Sequence, residues 1–136
     1  MTDRPAHVPA GHATLAPYVM AQGARDLVAF LTQVFDARVV MSLDRDDGSL
    51  MHASLQIGES SLMLAEATAD YPAFPVWLHV YVADAGETYA KAIALGATGI
   101  EAPVDKGDCD RRGGFRDACG NTWWVATPSR LPPGVP

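Results

Sequence analysis

The sequence predicts an α+β fold made of two tandem βαβββ modules within one domain of 136 residues. Three observations point to it. Two segments with helical apolar spacing are each followed by several short strand-like runs. Ala37 after the first helical segment matches Ala97 after the second, and the turn residue Gly58 matches Gly120, both about 60 residues on, the mark of a duplicated unit. The stretch Gly113 to Thr127 reads as strand, tight turn and strand, with Trp123 and Trp124 adjacent. Successive strand residues face opposite sides, so one indole meets the helix-packed core and the other meets the opposite face.

The first module begins with a strand over Thr14 to Met20, before a helix from Ala24 to Phe35 with Leu27, Phe30, Leu31 and Val34 as its buried stripe. Asp36 suits the left-handed exit of that helix. Strands follow over Arg38 to Leu43, Leu50 to Ile57 and Ser61 to Ala65, with turns at Asp46-Asp47-Gly48 and Gly58-Glu59. In the second module Val76 to Val82 is a strand. Asp84 caps a helix, with Glu87 in capping-box spacing, and Tyr89, Ala92, Ile93 and Leu95 are set to pack beneath it. Gly96 ends the helix, a short strand runs from Thr98 to Glu101, and two strands flank the turn at Asp117 to Gly120. The expected limits are an N-terminal arm at 1–11, one domain at 12–127 with modules at 12–68 and 74–127, and a Pro-rich tail at 128–136.

Nearly half of the residues are hydrophobic, which excludes a disordered chain. No apolar run reaches membrane-spanning length, and residues 1–9 lack the apolar block of a secretory signal, so no membrane partner and a cytoplasmic location are expected. The net charge of −6 and the scarcity of clustered Lys and Arg argue against nucleic acid as a partner. Cys109 and Cys119 fall near opposite ends of one strand, beyond disulfide reach, and lack the spacing of a zinc site. Met41, Met51 and Met63 read as core, and Asp46-Asp47-Gly48 as a plain turn rather than a calcium loop.

Several segments carry a family resemblance. Asp26-Leu27-Val28-Ala29-Phe30-Leu31-Thr32-Gln33-Val34-Phe35-Asp36-Ala37 resembles the first helix of the vicinal oxygen chelate superfamily, the glyoxalase/bleomycin-resistance/dioxygenase fold. Met51 to Gly58 resembles a strand of its glyoxalase-like branch, Leu78 to Asp84 the strand that opens its second module, and Gly107-Asp108 through Trp124 its closing hairpin. The resemblance covers residues 13–127 and rests on the order and spacing of these segments together. It departs in the turn Asp117-Ala118-Cys119-Gly120, which lacks the usual Pro-Phe, and after Gly107-Asp108, where Cys109-Asp110 displaces an arginine.

The resemblance implies curved mixed sheets around a cleft. It also implies, for the enzymes, a divalent metal held by His and Glu-type ligands at fixed strand places. Here those places fall at Leu15 or Ala16, at Met63 or Leu64, at Trp77 and at Trp124, none of them a hard-cation ligand. No metal and no cofactor are therefore expected. By strand alternation, Trp77, His79, Tyr81, Thr122 and Trp124 face the cleft, joined by Tyr18, Met20, Met63 and His52 from the first module. Aromatic and thioether surface with a few polar tips suits a flat apolar ligand. His52 and His79 read as hydrogen-bonded structural histidines before they read as bases.

The leading expectation is a metal-independent binding protein, more a binder than an enzyme. It would hold a bulky aromatic or antibiotic-like molecule by stacking, in a sequestration or self-resistance role. The family's resistance proteins imply a homodimer. The alternatives are a metal-dependent lyase, isomerase or dioxygenase, and a structural dimer with a filled cleft.

Overall fold

The computed structural model describes residues 4–129. Its elements run β1 (Tyr18–Ala21), α1 (Ala24–Phe35), β2 (Arg38–Asp44), β3 (Leu50–Ile57), β4 (Ser60–Glu66), β5 (Trp77–Tyr81), α2 (Ala85–Ala94), β6 (Thr98–Asp105), β7 (Asp110–Arg116) and β8 (Thr122–Pro128). Two four-stranded mixed sheets result, ordered β1-β4-β3-β2 and β5-β8-β7-β6. In each, the first pair is parallel and the others antiparallel. The chain divides into two compact units between Phe74 and Pro75, each holding one sheet and one helix.

In the first unit α1 packs on β1, β3 and β4. Ala24, Leu27, Leu31 and Val34 are its buried residues, while Phe30, expected in the same stripe, is half-buried. The helix leaves through Asp36 in the left-handed conformation (φ 54°), as its type suggested. Its first turn is held from outside the helix. The Glu66 carboxylate, at the end of β4, accepts from the N–H of Gly23 at 3.1 Å and of Ala24 at 2.9 Å. An acidic group there satisfies orphan donors and complements the helix dipole.

The second unit repeats the device with other chemistry. The Ala85 N–H donates to Thr127 Oγ1 at 2.8 Å, and Asp84 Oδ1 accepts from the Glu87 N–H at 3.1 Å as the N-cap. Beneath α2 lie Ala92, Phe115, Trp123 and Val125, all essentially buried.

Several expectations need correction. The strand expected from Thr14 starts only at Tyr18, because Pro17 has no N–H to give and the ladder opens with its carbonyl accepting from Met63 N–H. Leu15 is therefore on the surface ahead of the strand. The strand expected to stop at Glu101 continues to Asp105 through two register shifts. Pro128, expected in the tail, closes β8 opposite Asp110; a strand end costs no ladder donor there.

Part of the expected arm packs on the first unit. Val8 is buried, a side chain on Gly11 would strike Val40, and Ala13 N–H donates to Ser61 Oγ at 2.7 Å. Met41 and Met51 are exposed rather than core, since Met41 sits on the edge strand and Met51 at the end of β3. Ile93 and Leu95 are exposed as well, because the α2 stripe narrows to Ala85 and Ala92. Residues 1–3 and 130–136 of the proposed arm and tail lie outside the described residues.

Candidate functional site

The hairpin with the two tryptophans is built around one carboxylate. Asp117 Oδ1 accepts from the N–H of Cys119 at 2.8 Å and of Asn121 at 3.0 Å, and its Oδ2 accepts from Trp123 Nε1 at 2.8 Å. Asn121 Nδ2 donates to the same carboxylate at 3.1 Å, and Gly120 takes the left-handed φ of 86° that the turn needs. Trp123 is only 1% exposed, so its polar N–H needs this partner. With the turn fixed, alternation along β8 puts Trp123 and Val125 under α2 and turns Thr122, Trp124 and Ala126 to the opposite face, where Trp124 is half-buried and Ala126 buried.

The register shows what stands beside them. One row across the second sheet reads His79, Trp124, Gly114, Glu101, and its neighbours on β5 and β8 are Trp77 opposite Thr122 and Tyr81 opposite Ala126. Trp77 leans on Trp124 with centroids 5.9 Å apart and planes at 54°, while His79 meets Tyr81 edge-on at 4.8 Å. Trp77 is 75% exposed and Tyr81 64%; Trp124 is half-buried. Thr122 lies on the same face but is buried. Four rings therefore share one sheet face, the outermost mostly open to solvent.

The face of the first sheet opposite α1 carries the corresponding row Tyr18, Met63, Ser54, Met41, in which Ser54 is buried. Tyr18 and His79 hold equivalent places 61 residues apart, as do Met63 and Trp124. His52 ties this face together. Its Nδ1 is hydrogen-bonded to the Tyr18 hydroxyl at 2.9 Å and its Nε2 to Ser54 Oγ at 2.7 Å. A neutral ring meets both hydroxyls by donating through one nitrogen and accepting at the other. Met20 and Met63 are half-buried beside it. The expected site residues thus fall into two groups, one on each unit.

Burial holds the His52 imidazole below its usual value of 6.5, and His12 adds a smaller push in the same direction. On acidification the unfolded chain protonates at this residue before the folded one does. Its contribution to stability is full above about pH 6.5 and is lost as pH falls through the lower folded value. The chain should therefore lose denaturation midpoint as pH falls below about 6.5. A His52→Gln variant should show a shallower loss over the same range in urea titrations. Equal slopes for the two proteins would contradict the assignment.

The residues do not fit a divalent metal. Of the family's metal-holding places, Leu15 and Ala16 precede β1, and Met63, Trp77 and Trp124 offer no hard donor. Glu66 spends its carboxylate on α1, and His12 Nδ1 lies 3.0 Å from the carbonyl of Ala10. Among the described residues no three His, Cys, Asp or Glu side chains gather closely enough to hold an ion. Nor, among them, is any helix long and apolar enough to cross a membrane. Sequence reasoning missed Gly114, which lies directly beneath the Trp124 ring; a glycine in mid-strand was the signal available.

The duplicated βαβββ units define a class with known relatives. The sequence profile of the Glyoxalase/Bleomycin resistance protein/Dioxygenase superfamily matches residues 11–125. The chain belongs to that superfamily. A Mycobacterium bovis protein, Mb0911c, is 28% identical over 130 residues, covering 85% of this chain and 84% of its own length. Among solved structures, TioX from Micromonospora sp. ML1 is similar at 21% identity with a TM-score of 0.69, covering 88% of this chain and 98% of that one. The fosfomycin resistance protein FosX from Listeria monocytogenes is similar at 14% identity with a TM-score of 0.62, covering 85% and 92%. These structural likenesses establish the fold.

Proposed function

We propose that the protein is a small-molecule-binding member of this superfamily, holding a bulky aromatic or antibiotic-like ligand by stacking and without a metal. The observation that carries this reading is Trp77, 75% exposed and leaning on Trp124, with Tyr81 open beside it. A large exposed apolar cluster rimmed by polar residues marks an interaction site. An indole gives a planar ligand contact area at little entropic cost. The same face offers no nucleophile paired with an oriented base, so binding is favoured over chemistry. A role in sequestration or resistance is consistent with the family's description and with the resistance named for one structural relative.

The test is a titration of intrinsic tryptophan fluorescence with phenazine, acridine and larger fused-ring natural products, beside melting temperatures at saturation. Quenching that saturates, with a raised melting temperature, supports the reading. If no compound quenches and sedimentation shows a dimer that buries the tryptophans, the face is a protein interface and the reading fails. Stoichiometric bound metal, with binding or turnover abolished by chelation, would favour the enzyme alternative.

A further inference from the structure

Gly114 stands in the middle of β7, a place where glycine weakens a strand and leaves a side-chain position empty. Its backbone does not require glycine, since its φ lies outside the left-handed region. The space above it gives a reason. A Cβ on Gly114 would lie 2.5 Å from both Cε3 and Cζ3 of Trp124 and 3.1 Å from its Cδ2. Three such near-equal approaches are met only through the face of the six-membered ring, not at its edge. One face of the indole, at its Cε3–Cζ3 rim, therefore covers the Gly114 position.

Nothing in the fold demands this. The matching register position in the first unit is Ser54, beside Met63 where the second unit has Trp124. The adjacent Gly113 serves a different neighbour, because a Cβ there would meet Pro103 at 2.7 Å.

We propose that Gly114 is a positioning residue: it lets Trp124 lie parallel to the sheet as a floor, with Trp77 as a wall, so that the site selects flat fused-ring ligands over bulky apolar ones. This rests on the stacking reading above and adds a shape to its ligand. Any side chain at 114 tilts or displaces the indole, and a tilted ring loses parallel contact with a planar guest while keeping general apolar surface.

The experiment has two arms. In ligand-free protein, the Gly114 Hα resonances should be displaced upfield by the ring above them and should return toward ordinary values in Trp124→Leu. Unchanged resonances in that variant would overturn the flat placement whether or not any ligand binds. In the second arm, phenazine and 1-adamantanol are titrated into wild type, Gly114→Ala and Gly114→Ser. Phenazine affinity should fall about tenfold in both variants, while that of 1-adamantanol changes less than about twofold. An equal loss for both probes would mean a merely structural role, and no loss for phenazine would also overturn the proposal. Where Gly114→Ala and Gly114→Ser both prove unstable, the Trp124→Leu comparison of the first arm still decides the placement. If neither probe binds wild type, the stacking reading fails, and the first arm still decides the placement.

Discussion

Replacing Asp117 with alanine should lower the melting temperature more than any other single change considered in this protein. The carboxylate accepts from two backbone N–H groups, from the Asn121 amide and from the Trp123 indole, and Asp117, Asn121 and Trp123 are buried. Alanine leaves these donors without that acceptor. At roughly 1–3 kcal/mol for each buried group left unsatisfied, partly relieved by relaxation, the loss should be about 4 kcal/mol. For a chain of this size that corresponds to a fall of roughly 12–16 °C. Asp117→Asn should recover part of it, because one oxygen still serves the turn while the amide faces the indole N–H. Thermal unfolding followed by circular dichroism checks both values. A drop of less than about 3 °C for the alanine variant would show that the hairpin is held by something else.

Trp77→Ala should have the opposite profile, leaving stability nearly unchanged and binding badly impaired. The side chain is 75% exposed, so its removal takes little area out of the core. Stacking on an aromatic side chain contributes about 1–3 kcal/mol, so affinity for a fused-ring ligand should fall by about ten- to a hundredfold. Titration of the variant beside wild type, with melting curves on both, provides the check. An unchanged affinity would remove Trp77 from the site, and a lowered melting temperature would mean that the indole supports the fold instead.

Much of this architecture was legible in the sequence because it rests on local rules. The α1 stripe, the Asp84 cap and the alternation that separates Trp123 from Trp124 are each readable within a few residues. What escaped depends on partners distant in the chain. Glu66 capping α1 from 42 residues away, and Val8 packed down from the arm, leave no periodic trace. The strand expected over Thr98 to Glu101 runs on to Asp105 because register shifts carry β6 past Pro103. Met41 failed as core because hydrophobicity tells nothing about whether a strand lies at a sheet edge, and Met51 because it lies near the end of its strand.

The candidate site was legible in the same uneven way. The residues of each open face followed from strand alternation. The Tyr18–His52–Ser54 chain needed the pairing of β3 with its neighbours, and the role of Gly114 needed the orientation of one ring.

We propose that Trp77 and Trp124 together receive a flat ligand while Trp123 remains core. The chain has three tryptophans, so its indole N–H groups give three proton resonances, assignable by single replacements. A titration with phenazine followed on those resonances tests the claim most directly. Saturable shifts of the Trp77 and Trp124 signals, with Trp123 unmoved, are predicted. No saturable shift, or a shift confined to Trp123, would contradict it.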